Sequence, residues 1–385
     1  VAQIDTDYAG PRTWAGLTHR PTTFRQLVEA HLASIRARLG QQHDLQVLFD
    51  EVSGVLGDWA DRPIGAGARQ TSFVGNDGSP VEFSFTFSPD GVRTRVLFEP
   101  GGAAATRSEL ERHLALLAAR LGDGTRRLEA VADLFLGPAA DPSPFLLLHA
   151  LEAGHATAPP LHKVYLNPAA SGRPPLAVVR EAMGRLGLGP AWERVEEHLG
   201  ADRLGSPSYE PALVALDLVD RPVARVKVYL RHSQAGIDDI ELVSRLGAGH
   251  RGGRYAELLG TLNPAPLAQW VKAPMTCLAF AADGTALTTT LYCPLDPNLP
   301  NDAVAGKRVT ELLTRLGIGV EAFRSVAAAA SGALPAASNR LSWIGFKEIG
   351  RPLVTVYVGL GGTAEAEPHR AAPAGADQEA RWTGP

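Results

Sequence analysis

Tight turns at regular positions are the strongest constraint on how this chain folds. Apolar and polar residues alternate through 81–87 and 92–99, which flank Ser88-Pro89-Asp90-Gly91. The same pattern recurs in 213–219 and 225–230 around Asp220-Arg221-Pro222, and in 275–281 and 286–293 around Asp283-Gly284. It recurs again in 341–347 and 353–358 around Gly350-Arg351-Pro352. Each predicts a β-hairpin, because turn residues with special backbone needs sit between runs of period two. Residues 161–167 form one more strand pattern, with the apolar run 145–151 as its partner. The hairpin centres then recur roughly every 65 residues, which marks a repeated architecture.

Between the hairpins lie helical patterns at 108–121, 176–186, 191–199, 237–246 and 304–316, preceded by a pair at 23–39 and 44–59. In the first of them, Leu110, Leu114, Leu117 and Leu121 fall at three- and four-residue spacing. Hairpin strands are antiparallel, and about ten of them close into a barrel without free edges. The expected fold is therefore α/β of the α+β type: a barrel of about ten antiparallel strands around a solvent-filled lumen, with helices outside. One domain is expected over 1–360. The stretch 361–385, rich in Ala, Gly, Pro and charge, is expected to be a disordered tail.

Alternation also says what the lumen holds. Arg225, Lys227 and Tyr229 oppose Val226, Val228 and Leu230; Lys163, Tyr165 and Asn167 oppose Val164 and Leu166. Glu82, Ser84 and Thr86 share a face, as do Thr288, Thr290 and Tyr292, and Thr355 with Tyr357. A single strand of this kind fits an ordinary sheet with one face in water. Taken together, the repeated pairing of a cation with a tyrosine two residues on favours a polar lumen. Arg95, Lys163, Arg225 and Lys227 would gather positive charge there, which a low-dielectric cavity tolerates only with a polyanion such as diphosphate. Tyrosine faces can shield a cation.

The net charge of -4 gives no reason to expect a nucleic-acid partner. No segment has the length and apolarity of a membrane span, and residues 1–10 carry no secretory pattern, so a cytoplasmic location is expected, as a monomer or homodimer. Cys277 and Cys293 are too few for a disulfide framework and read as small buried strand residues.

Several of these residues carry a family resemblance. Glu82 in Val-Glu-Phe-Ser-Phe, with Arg95 in Arg-Val-Leu-Phe-Glu-Pro, resembles the first hairpin of the tryptophan dimethylallyltransferase (indole prenyltransferase) family. Lys163-Val-Tyr165, Arg225-Val-Lys-Val-Tyr229, Leu291-Tyr292 and Val356-Tyr357 resemble its later signatures, in order. The resemblance spans 81–358 and implies the αββα prenyltransferase barrel. It implies that Arg95, Lys163, Arg225, Lys227, Tyr165, Tyr229, Tyr292 and Tyr357 bind dimethylallyl diphosphate, with Arg93, Thr290 and Thr355 as further contacts. Many fungal members have Gln where Thr290 stands. Glu82 would accept the indole N–H, and a plain ion pair to Arg93 or Arg95 is the alternative. Trp343 either shapes the indole slot or packs in the core. No cofactor is expected, and Mg²⁺ is not needed. Asp238-Asp239-Ile240-Glu241 falls short of the metal motif of Mg-dependent prenyl synthases and reads as helix capping. The acceptor expected is L-tryptophan, attacked from C6 or C5. A tryptophan-containing peptide, a cyclic dipeptide or another aromatic remains open as acceptor, as does a non-catalytic barrel that binds a phosphorylated ligand.

Overall fold

In the computed structural model, ten antiparallel strands close into a barrel. The structure describes residues 13–14, 22–39, 45–61, 63–64, 72–76, 79–100, 107–135, 145, 147–153, 159–221, 224–284, 286–331, 339–359 and 364–365. The strands, in chain order, are β1 (Val81–Ser88), β2 (Gly91–Phe98), β3 (Leu147–Glu152), β4 (Leu161–Leu166), β5 (Glu210–Asp217), β6 (Arg225–Arg231), β7 (Met275–Ala281), β8 (Leu287–Pro294), β9 (Leu341–Ile349) and β10 (Arg351–Gly359). Each pairs with its neighbours in sequence, and β10 closes on β1 through pairs such as Tyr357 with Ser84. All ten expected strands are present, with ends that coincide or move by up to three residues. Gly284 (φ 69°) and Gly350 (φ 69°) hold left-handed conformations that L side chains rarely adopt, which is why turns fall there.

This topology has a functional consequence. In an up-and-down barrel of five hairpins, every hairpin turn lies at one end, and every helix-bearing connection leaves from the other. The two ends of the lumen are therefore built from different parts of the sequence, the turn end by β-turns and the far end by long connections.

Helices cover the outside because the strands' apolar faces point that way. The helices are α1 (Phe24–Leu39), α2 (Leu45–Leu56), α3 (Arg107–Leu121), α4 (Pro175–Arg185), α5 (Gly189–Leu199), α6 (Ile237–Ser244), α7 (Arg254–Leu262), α8 (Asp302–Arg315) and α9 (Glu321–Ser331), beside shorter turns. One outer cluster packs α1, α2, α7, α8 and α9 against Phe83, Phe85, Phe87, Phe346, Val354 and Val356. A second packs α3 to α6 against Val164, Leu166, Val226, Val228, Leu278 and Phe280. A third cluster, which includes Tyr165, Tyr229, Cys277 and Tyr357, lies inside the barrel.

Two helices escaped the sequence pattern. α7 is only nine residues long and follows the glycine-rich Gly247–Gly253 segment, yet Tyr255, Leu258, Leu259 and Leu262 are buried at helical spacing; α9 has five alanines in eleven residues and anchors itself through Phe323 and Val326. The expected disordered tail lies outside the described residues, except that Ala364–Glu365 pairs with Thr13–Trp14. Among the described residues, no helix is long and apolar enough to cross a membrane.

Candidate active site

The lumen is organised in three tiers. At the turn end, two buried carboxylates are surrounded by cations. Glu152, at the last position of β3, accepts from Arg93 Nη1 at 3.1 Å, from Arg95 Nη2 at 3.0 Å and from Lys163 Nζ. Asp217, at the last position of β5, accepts from Arg225 Nε at 2.7 Å and Lys227 Nζ at 3.0 Å. Strand register explains the grouping: Arg95 lies opposite Glu152, and Lys163 lies opposite Asp217.

This corrects the expectation that the cations need an external polyanion. Glu152 and Asp217 neutralise part of the charge, but six cations face them once Lys347 is counted with Arg93, Arg95, Lys163, Arg225 and Lys227. Burial and then the nearby Arg95 hold the Lys163 ammonium well below the usual lysine range. Burial also lowers Lys227, and burial with Arg225 beside it brings Lys347 to about 8. Burial alone would push the Glu152 carboxyl up, but Lys163 and Arg95 outweigh it and hold the group well below the carboxylate range. Excess positive charge at a buried place is the electrostatic signature of an anion site. Arg93 and Arg225 mark its solvent side, with side chains 40% and 35% exposed, against 2% for Lys163. Among the described residues, Arg95 Nε, Ser84 Oγ and Thr288 Oγ1 are buried without a hydrogen-bond partner, leaving capacity for a ligand.

The middle tier is a belt of tyrosines. Ring centroids are 6.1 Å apart from Tyr165 to Tyr229, 5.5 Å from Tyr229 to Tyr292, and 6.1 Å from Tyr292 to Tyr357. Arg95 Nη1 lies 3.5 Å from Tyr357 Oη, so the belt joins the cation tier. Burial pushes the Tyr229 and Tyr292 hydroxyls well above their ordinary value, so the belt is neutral at physiological pH. Gly345 makes room for it: a Cβ there would meet Tyr292 Cε1 at 3.2 Å. Thr290 pairs with Cys277 beneath the belt, and Thr355 Oγ1 meets Thr86 Oγ1 at 2.8 Å. Cys277 is thus a lumen residue, and Cys293 packs outside the barrel.

The far end holds Glu82. It lies opposite Leu97 and receives a hydrogen bond from Ser342 Oγ at 2.5 Å. Arg93 and Arg95 turn to Glu152 instead, so the ion pairs once weighed for Glu82 are made by a different carboxylate. Trp343 packs against the lumen cluster and not in the outer core. The loop 72–76 packs on the lumen cluster at this end through Phe73 and Val74. Glu99 anchors the loop by accepting from Ser72 Oγ at 2.5 Å and Phe73 N at 3.3 Å, and burial raises its carboxyl to about 7.

The structure thus brings all the expected site residues into one lumen and adds Glu152, Asp217, Lys347 and Cys277. A signal for Lys347 was present, since Ile344 and Phe346 alternate with Gly345 and Lys347. The Asp238–Glu241 run stays outside the barrel: Asp239 Oδ2 accepts from Gly236 N at 2.8 Å, and Glu241 Oε1 accepts from Ala256 N at 2.9 Å. That is the expected capping role. Among the described residues, no group of three His, Cys, Asp or Glu is placed to hold a metal.

Comparison with known proteins agrees with this architecture. The family model described as tryptophan dimethylallyltransferase matches residues 32–324. The 6-dimethylallyltryptophan synthase from Micromonospora olivasterospora, solved in complex with DMASPP and Trp, superposes with a TM-score of 0.77. Its identity is 27%, over 90% of this chain and 98% of that one. The 5-dimethylallyltryptophan synthase from Streptomyces coelicolor superposes equally, with a TM-score of 0.77 at 27% identity over 90% and 99%. AnaPT from Neosartorya fischeri, 17% identical with a TM-score of 0.69 over 89% and 95%, shares the fold. The chain belongs to the tryptophan dimethylallyltransferase family and is an indole prenyltransferase.

Proposed function

We propose that the protein transfers a dimethylallyl group from dimethylallyl diphosphate to C6 or C5 of the indole ring of L-tryptophan, without a metal ion. The observation that carries this reading is the order of the tiers: six cations, then four tyrosine rings, then one carboxylate. The diphosphate sits among Arg93, Arg95, Lys163, Arg225, Lys227 and Lys347, with Thr290, Thr355 and the tyrosine hydroxyls as further contacts. As the allylic C1–O bond breaks, its electron pair leaves with the diphosphate, and the cations stabilise the growing charge. Tyr165, Tyr229, Tyr292 and Tyr357 surround the allylic cation and exclude water, each ring face contributing about 0.5–2 kcal/mol.

Glu82 accepts the indole N–H, raising electron density on the ring as it attacks, so the bond strengthens toward the transition state. A new C–C bond forms between the allylic carbon and the indole carbon. Loss of the ring proton to the diphosphate restores aromaticity. The lysine and arginine side chains take the charge-neutralising part that Mg²⁺ plays in other prenyl-transfer sites. Relatives solved with the substrates or named for attack at C6 and C5 stand at equal identity, which supports the donor, the acceptor and this pair of carbons.

The test is incubation of tryptophan and dimethylallyl diphosphate in EDTA, with NMR of the product. Formation of 6- or 5-dimethylallyltryptophan is expected. No product in EDTA with recovery on adding Mg²⁺ would overturn metal independence, and a product on another acceptor alone would overturn tryptophan.

A further inference from the structure

A β-bulge in β9 delivers a hydroxyl to Glu82. Along β9, Gly345 faces Tyr292 in the lumen, while Ile344 and Phe346 lie in the outer core. Counted back from there, regular alternation puts Trp343 inside the barrel and Ser342 outside. The pairing of β9 with β10 shifts register between Leu341 and Ile344. Trp343 keeps its place against the lumen cluster and Leu341 lies in the outer core, but Ser342 turns inward, where its Oγ donates to Glu82 Oε1 at 2.5 Å. Bulges are over-represented beside active sites, where they re-aim a side chain.

The bulge is held from behind. Ser342 O accepts from Leu295 N at 2.9 Å and from Asp296 N at 3.3 Å, so the segment after β8 fixes the backbone that carries the hydroxyl. Hydroxyl and carboxylate are both shut away from water, with Ser342 1% and Glu82 2% exposed. On β1, Phe83 and Phe85 pack in the outer core, so Glu82 and Ser84 face the lumen. Glu82 also lies within electrostatic reach of the tyrosine belt: burial raises the Tyr357 hydroxyl, and the Glu82 carboxylate adds to the rise. The bond from Ser342 therefore acts on a carboxylate that faces the belt.

We propose that Ser342 is a positioning residue for prenyl transfer: its hydroxyl holds the Glu82 carboxylate in the orientation that accepts the indole N–H. The inference rests on the reading of Glu82 as that acceptor. It asks only for the bond from Ser342, since an ionised carboxylate has about four lone-pair sites and takes several donors at once. A glutamate side chain has several rotamers, and a charge-assisted bond to one oxygen selects among them before the substrate arrives. Such preorganisation acts on kcat, because a group misplaced by about 1 Å can cost about 10²-fold in rate.

The test is a double-mutant cycle with tryptophan and dimethylallyl diphosphate. Ser342→Ala, and Ser342→Cys, which keeps the shape but donates weakly, should each lower kcat about 10–100-fold, as for one lost hydrogen bond to a charged group. Donor KM should change by less than about twofold. In a Glu82→Ala background no carboxylate is left to hold, and the same substitutions should cost less than about twofold. Equal losses in both backgrounds would show that Ser342 supports the barrel and not Glu82, and would overturn the proposal. Wild-type kcat in Ser342→Ala or Ser342→Cys overturns it too. In either case a low kcat in Glu82→Ala alone leaves the reading of Glu82 standing, whereas wild-type kcat in Glu82→Ala overturns that reading and the proposal together.

Discussion

The two ends of the lumen solve opposite problems. At the turn end, charge is crowded: Glu152 and Asp217 each hold at least two cations, and the lysines are pushed down toward neutrality. At the far end, the described contacts of the charged groups are with neutral groups: Glu82 with a serine, Lys272 with an asparagine and an indole ring, Asp296 with two asparagines, Glu99 with a loop. Crowding suits a ligand that brings several negative charges and leaves with one more. Directional contacts of that kind suit a ligand that must be oriented. The tyrosine belt separates the two, and in the proposed reaction the allylic carbon would meet its rings.

The largest effect that would sharpen this contrast is expected from Arg95→Leu, since Arg95 joins Glu152 to Tyr357 and belongs to both the cation tier and the belt. Turnover should fall about 10²–10³-fold, as for loss of one preorganised charge donor. A fall below about tenfold in steady-state kcat would place the leaving group elsewhere. Glu82→Gln comes next, with kcat reduced about 10²-fold and donor KM unchanged, because the proposed diphosphate site is at the opposite end. A parallel rise in donor KM would break the separation of the ends.

Glu152→Gln acts in the other direction. It leaves Lys163 and Arg95 without their shared carboxylate, so the empty protein should melt lower, while inorganic diphosphate binds about tenfold tighter and restores part of the loss. Calorimetric titration with a weaker diphosphate affinity would show that Glu152 orders the cations and does not compete with the ligand. A smaller, pH-dependent effect belongs to Lys347, lowered to about 8 by burial and by Arg225. A diphosphate favours its charged form. Donor KM should therefore be flat below that pH and rise above it, and Lys347→Met should remove the rise.

The smallest effect lies at the far end. Glu99, raised to about 7, binds a proton in the folded state that the unfolded chain has lost above its ordinary 4.5. Its contribution to stability is therefore present below that value and is lost as pH rises toward 7, the reverse of an ion-paired carboxylate. Melting curves of Glu99→Gln should lack this slope.

Much of this was legible beforehand because strand periodicity is local. Alternation in Lys163-Val-Tyr165 and Arg225-Val-Lys-Val-Tyr229 fixes which side chains share a face, whatever the rest of the chain does. Glu152 and Asp217 were missed for a local reason as well. Each is the last residue of an apolar strand, where a charge looks like the start of a turn, and only cross-strand register shows that it meets cations. Ser342 defeated alternation, because a bulge breaks the period on which that reading depends and puts it on the same side as Trp343.

The sequence by itself determined the hairpins, the polar faces and the family signatures, since each is written within a few neighbouring residues. The tertiary structure decided which charges pair, where the barrel closes and which residues beyond the strands reach the lumen. Lys272, Asn76 and Asp296 lie far apart in the chain, and they come together only because the long connections all return to one end of a closed barrel. Pairing energies at a buried site depend on distances across strands, and no local pattern encodes those.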